Sequence, residues 1–180
     1  RRVLFRSQTA AWGDYDNDGF FDLYIGNESN DWERHPCELF NNREGVKFVE
    51  RAQSEGVDNV GYVKGVAWGD YDNDGDIDLF LSRMGQVNAL YRNDGEQGFS
   101  ERGADAGVTE PVWSFPTWFF DYDNDGWLDL FVAGYDNDAI DIAAVYLGQA
   151  SSASRSQLFR NGTDGRFTAI ESGLEGAVLV

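Results

Sequence analysis

The sequence predicts an all-β fold made of three four-stranded antiparallel units, and three observations carry that prediction. One pattern, D-x-D-x-D-G-x-x-D, occurs three times, at Asp14 to Asp22, Asp70 to Asp78 and Asp121 to Asp129. Each copy is followed, in the same order, by short segments rich in β-favouring residues and by turn-forming Asn, Asp and Gly. No stretch has a convincing amphipathic-helix period. Ala139 to Leu147 comes nearest, and it reads as a loop or short strand.

Each unit opens on a strand a that carries an aromatic residue just before the first aspartate: Trp12, Trp68 and Phe119. These are expected at equivalent places, packed between adjacent units. The acidic loop follows, and strand b leaves it at Phe21 to Ile25, Ile77 to Leu81 and Leu128 to Val132. Strand c carries Leu39-Phe40-Asn41-Asn42, Leu90-Tyr91-Arg92-Asn93 and Leu158-Phe159-Arg160-Asn161. A hairpin turn leads to strand d, marked by Phe48, Phe99 and Phe167. A glycine and an aliphatic residue close the unit: Gly56-Val57, Gly107-Val108 and Gly173-Leu174. The repeats therefore span 1–56, 57–107 and 108–173, with 174–180 starting a further lead-in strand. Nearly all the length variation falls in one joint, between strands b and c: Asp22 to Leu39, Asp78 to Leu90, Asp129 to Leu158. Four-stranded units at a period of about fifty residues are the mark of β-propeller blades. Closed propellers have about four to eight blades, so three blades make an incomplete propeller on their own.

The spacing of the acidic pattern has a chemical reason. Carboxylates at positions 1, 3 and 5 of a tight loop converge on one point, and the glycine at position 6 permits the sharp turn. The backbone carbonyl at position 7 and the aspartate at position 9 complete a shell of hard oxygens, which suits Ca²⁺ better than Mg²⁺. Three Ca²⁺ ions are expected. The ligands would be Asp14, Asp16, Asp18, Phe20 (carbonyl) and Asp22; Asp70, Asp72, Asp74, Asp76 (carbonyl) and Asp78; and Asp121, Asp123, Asp125, Trp127 (carbonyl) and Asp129. Without a cation, carboxylates this close repel one another. The competing reading is an Asx-rich turn with no metal, and three near-identical copies weigh against it. An EF-hand needs flanking helices and a glutamate at position 12; here that position holds Ile25, Leu81 and Val132. Tyr135-Asp136-Asn137-Asp138 imitates the pattern but lacks its glycine, and it reads as a surface loop. So does the small, polar run Ser151-Ser152-Ala153-Ser154.

The chain of 180 residues carries 32 acidic against 14 basic residues, a formal charge of -18. That balance argues against nucleic acid or an anionic membrane as a partner. No apolar run is long enough to insert into a membrane. A single cysteine, Cys37, leaves no internal disulfide framework. Cys37 and His35 are poorly placed for a catalytic pair around Pro36, and no nucleophile or base stands out beyond the acidic loops, so the chain reads as a non-enzyme. Asn27-Glu28-Ser29 and Asn161-Gly162-Thr163 are glycosylation sequons. Asn161 shares its repeat position with Asn42 and Asn93 and is expected to serve the turn, which leaves Asn27 as the candidate for an N-glycan.

The run Ala-Trp-Gly-Asp-Tyr-Asp-Asn-Asp-Gly, followed by Asp-Leu, Leu-Phe-x-Asn and Phe, resembles FG-GAP/VCBS repeats. These build propellers of the integrin α-subunit type, and the pattern is also similar to the propeller part of cartilage acidic protein and its bacterial relatives. The resemblance covers nearly the whole chain. It implies that the loop between strands a and b binds Ca²⁺ through the aspartates named above. Copy three departs from the pattern with Phe119-Phe120 where the others have Trp-Gly, which bears on packing rather than on ligands.

Three functions follow as expectations. The first is an extracellular, cell-surface or periplasmic recognition or adhesion module, with a protein or glycan ligand contacted by the variable joint at residues 130–157. The second is a building block whose partners are further blades of a parent chain or other copies of itself, joined head-to-tail into a ring or filament through an apolar C-terminal segment. The third and least favoured is a propeller enzyme, a lyase or hydrolase.

Overall fold

The computed structural model describes residues 7–135, 138–149 and 154–170. The lead-in at Arg1 to Arg6, the residues Asp136-Asn137 of the imitation motif, Ser151 to Ala153, and the C-terminal segment with its boundary at Gly173 lie outside the described residues.

Three four-stranded antiparallel sheets are present, each a simple meander. Blade 1 comprises β1 (Ser7–Gly13), β2 (Asp22–Asn27), β3 (Glu38–Arg43) and β4 (Lys47–Glu50). Blade 2 comprises β5 (Val63–Gly69), β6 (Asp78–Arg83), β7 (Ala89–Asn93) and β8 (Phe99–Glu101). Blade 3 comprises β9 (Ser114–Phe120), β10 (Asp129–Gly134), β11 (Gln157–Asn161) and β12 (Phe167–Ile170). The innermost strands lie side by side, β1 against β5 and β5 against β9. The acidic loops join the first two strands of each blade at one end. At the other end the b–c joints of blades 1 and 2 bridge the approach to the next blade, Glu28 to Tyr62 and Met84 to Trp113. Lys64 reinforces this end by pairing with Glu28 across the blade boundary.

The core lies between blades. One cluster joins Tyr24 and Leu39 of blade 1 to Leu79, Leu81 and Tyr91 of blade 2, with Trp68 and Phe99 packed against it. The second joins Phe80 and Leu90 of blade 2 to Leu130, Val132, Phe159 and Phe167 of blade 3, with Phe119 against it. Alternating side chains of each strand thus serve two different interfaces.

Two expectations need correction. Ala139–Tyr146 is an α-helix (α3 here), not a loop or strand. Asp138 starts it by accepting the backbone N–H of Ile140 at 2.7 Å, an N-terminal cap from an Asx residue. The glycine-aliphatic signature also hides a turn of helix, α1 (Ala52–Glu55) and α2 (Gly103–Ala106). Gly56 and Gly107 end these turns with φ of 79°, a left-handed cap that favours glycine. The next residues, Val57 and Val108, then plug the inter-blade core fully buried.

The aromatic before each loop also needs a distinction. Trp68 lies edge-on to Tyr24 at 6.1 Å, and its Nε1–H donates to the Ala11 carbonyl of blade 1 at 3.3 Å. Phe119 packs on Phe80 at 6.3 Å in the same manner. Trp12 occupies the equivalent place, but it is 59% exposed, because among the described residues no blade stands in front of it.

Candidate metal centres

The three acidic loops share one hydrogen-bond scheme. In blade 1, Asp14 accepts the backbone N–H groups of Asp18 and Gly19 at 3.0 and 2.9 Å. Asp18 accepts that of Phe20 at 2.9 Å. Asp22 accepts from Tyr15 at 3.1 Å and from Asn42 at 2.7 Å, closing the loop on itself and onto strand β3. Asp70, Asp74 and Asp78 repeat these bonds in blade 2. Asp121, Asp125 and Asp129 repeat them in blade 3. The turn demands left-handed backbone at two places. Glycine fills one, with φ of 89° at Gly19, 98° at Gly75 and 89° at Gly126. Asn17, Asn73 and Asn124 fill the other, with φ of 54°, 55° and 59°, and Asn tolerates this region better than most residues.

These turns draw carboxylates together. Oxygens of Asp14, Asp16 and Asp18 lie within 4.8 Å of one another, as do those of Asp70, Asp72 and Asp78, and of Asp121, Asp123 and Asp129. Asp22, Asp74 and Asp125 complete the predicted sets in sequence but are not part of these tight groups. The backbone N–H groups of Phe20, Asp76 and Trp127 are spent on the position-5 aspartates.

The donor set fits a hard divalent cation. Burial pushes the Asp78 carboxyl up to about 8 and that of Asp22 up to about 6, despite backbone N–H donors that pull both down. Asp72 and Asp129 are raised for the same reason. Carboxyls so placed resist ionising without a neighbouring positive charge, and a Ca²⁺ ion supplies two. Asp72 also keeps one buried oxygen, Oδ1, with no hydrogen-bond partner, and so does the fully buried Asn41 beside loop 1. Buried oxygens without a donor are rare, and metal coordination would satisfy them.

The loops are also part of the blade interfaces, a role the sequence reading missed. The tyrosine at position 2 is a knob inserted into the following blade: Tyr15 packs on Phe99 at 6.0 Å and Tyr71 on Phe167 at 5.7 Å. The carbonyls of these tyrosines accept the side-chain amides of Asn93 and Asn161 at 2.8 and 2.7 Å. Asn161 does serve its turn, accepting the N–H of Thr163 at 2.9 Å, but it is buried and tied to the preceding loop as well. Asn17 reaches forward to Asp76 at 2.7 Å, and Asn73 to the Gly126 carbonyl at 3.1 Å. The recurrence of Tyr at position 2 and Asn at position 4 was the available signal.

Other candidates fare differently. The Asn27 amide is buried and donates to the Pro36 carbonyl at 2.8 Å, so the nitrogen that would carry a glycan is engaged inside the blade. Cys37 is buried and hydrogen-bonded to the Asn27 backbone N–H, and burial pushes its thiol up, away from a nucleophile's range. His35 faces Glu33 at 3.4 Å.

Two overlapping stretches, residues 14–81 and 70–132, match the model of the FG-GAP-like repeat. No curated protein matches the chain.

Proposed function

The chain belongs to the FG-GAP-like repeat family, and from that premise we propose that it is a calcium-stabilised β-propeller segment of an extracellular, cell-surface or periplasmic protein, used for recognition rather than catalysis. Ca²⁺ is held by the aspartates at positions 1, 3, 5 and 9 of each loop, with the carbonyls of Phe20, Asp76 and Trp127. The observation that carries this reading is the double use of the loops of blades 1 and 2. Their carboxylates converge on one point, while Tyr15 and Tyr71 are buried against the next blade. A cation that tightens the loop therefore tightens the blade boundary. Calcium of modest affinity is retained where calcium is plentiful, which favours a home outside the cytosol.

Recognition is assigned to the end opposite the loops. There α3 and the turn after it display Ile140, Tyr146 and Leu147, with Ile140 81% exposed, on the joint whose length varies most between blades. A groove among the joints of blades 1 and 2 is lined by Ser29, Arg34, Tyr62, Met84 and Trp113. Apolar side chains on a variable loop of a rigid scaffold are suited to a protein or glycan partner.

Calcium removal tests the metal reading. A ligand bound only by the folded state stabilises it by mass action. Chelation should therefore lower the melting temperature, and metal analysis should find calcium that returns on dialysis. Unchanged melting with EDTA, together with no bound calcium, would overturn it.

A further inference from the structure

We propose that Arg160, and more weakly Arg92, are tethered cations that compete with Ca²⁺ for the carboxylates of their own loops, and that Asn41 leaves the loop of blade 1 without such a competitor. The proposal rests on the reading of these loops as calcium sites. The three residues share one repeat position, the third in Leu-aromatic-x-Asn on strand c. In blade 3, Arg160 Nε donates to Asp123 Oδ2 at 2.8 Å and Nη2 to Asp125 Oδ2 at 3.2 Å. One guanidinium thus bridges positions 3 and 5 of the loop, giving a charge-assisted hydrogen bond to each carboxylate. In blade 2, Arg92 divides its charge. It pairs with Asp94 outside the loop and stands 4.0 Å from Asp72 Oδ2. In blade 1, Asn41 Nδ2 donates to Asp16 Oδ2 at 2.9 Å and Asp22 Oδ1 at 3.0 Å. An amide orients those carboxylates and leaves their charge intact.

Buried side-chain oxygens without a hydrogen-bond partner are consistent with this at the loops: Asn41 Oδ1 stands beside loop 1 and Asp72 Oδ1 in loop 2, and among the described residues none is in loop 3. A divalent ion entering loop 3 must displace or share the guanidinium, and it meets a like charge on approach. The arginine also neutralises part of the loop's repulsion when no metal is bound, so loop 3 keeps its shape at low calcium.

Site-resolved titration tests this. The N–H of Gly19, Gly75 and Gly126 each bonds the first aspartate of its own loop, at 2.9, 3.0 and 2.9 Å, so its ¹H–¹⁵N resonance reports that loop alone. Rank order among the loops does not decide, because position 7 also differs (Phe20, Asp76, Trp127). The variant does. Arg160→Asn, at an exposed side chain, should tighten calcium at the Gly126 resonance about threefold to tenfold and leave those of Gly19 and Gly75 unchanged. Arg160→Lys, which keeps the charge but not the two-pronged contact, should fall between. An unchanged or weaker affinity in Arg160→Asn overturns the proposal and makes Arg160 an organiser of the loop. If none of the three glycine resonances of the wild-type chain moves at millimolar Ca²⁺, the calcium reading itself fails and this proposal falls with it.

Discussion

Blades 1 and 2 present nearly the same residues to the neighbour in front of them, and only blade 2 has that neighbour among the described residues. Leu79 and Leu81 are fully buried against blade 1, whereas their counterparts Leu23 and Ile25 are only partly covered. Phe99 is half-buried beneath Tyr15, and its counterpart Phe48 is exposed. The aromatic residue of strand a shows the contrast most plainly. Trp68 has Tyr24, Phe99 and the Ala11 carbonyl around it, and Trp12 has Phe48. A repeat position therefore carries no fixed energetic weight. Its contribution is set by the surface the adjacent blade brings to it, as expected for arrays stabilised by nearest-neighbour contacts.

The largest expected effect tests that statement directly. Trp68→Ala opens the boundary between blades 1 and 2 and should cost about 3–5 kcal/mol, the usual range for truncating a large aromatic in a core. Trp12→Ala, at the same repeat position, should cost less than about 1 kcal/mol, as surface changes do. Paired denaturant melts measure both. Equal losses would mean that Trp12 is covered in solution, and the contrast between the two blades would dissolve.

Much of this was legible in the sequence, for a physical reason. A motif repeated three times reports its own strands, loops and turns, because each copy must meet the same local geometry. Hence the loops and the hairpins were readable. What repetition does not report is the neighbour. Trp12 and Trp68 are the same letter in the same frame, and only the arrangement of blades separates them. Tyr15 and Tyr71 stand between ligands in the sequence, and only the following blade gives them their packing on Phe99 and Phe167. The helix at Ala139–Tyr146 escaped because it has no counterpart in the other copies and its apolar residues do not gather on one stripe. The contrast between Asn41 and Arg160 was visible as letters, but its meaning needed the distances to Asp123 and Asp125.

Blade 3 sharpens the comparison from the other side. Gly13 and Gly69 are the floor on which the next blade's aromatic lands. A Cβ at Gly69 would sit 2.7 Å from Phe119, and one at Gly13 would sit 2.9 Å from Trp68. Blade 3 has Phe120 at that position and Trp118 where blades 1 and 2 have Ala11 and Ala67. Trp118 is 46% exposed and stacks on Phe131 at 4.6 Å, spreading over the side where a further blade would sit. This face does not copy the one that receives Trp68, which counts against copies of the chain joining head-to-tail through the same contact. Gly69→Phe, which writes the blade 3 residue into blade 2, should cost about 1–3 kcal/mol by overpacking. Phe120→Gly should cost less than that, since no blade rests on it among the described residues. The reverse ranking in thermal melts would show that Phe120, and not the glycine floor, is the constrained position.

The smallest expected difference lies in a single amide. Asn93 and Asn42 occupy one repeat position, and both backbone N–H groups hold the last aspartate of their loops, at 2.9 and 2.7 Å. Truncating the side chain spares that bond in either case. What remains differs by neighbour. The Asn93 amide is buried and satisfies the Tyr15 carbonyl of blade 1 at 2.8 Å as well as the Ile77 carbonyl at 3.2 Å. The Asn42 amide meets the exposed Phe21 carbonyl of its own blade at 3.1 Å. Asn93→Ala leaves a buried carbonyl without its donor, and it should cost about 1–3 kcal/mol. Asn42→Ala exposes its carbonyl to water, which replaces the bond, and should cost no more than about 1 kcal/mol. Because the orphaned carbonyl belongs to loop 1, the Gly19 amide resonance should shift in Asn93→Ala although the substitution lies in blade 2. A Gly19 resonance that stays put would mean that the cross-blade amide does not hold the preceding loop, and that blades 1 and 2 are joined by their apolar contacts alone.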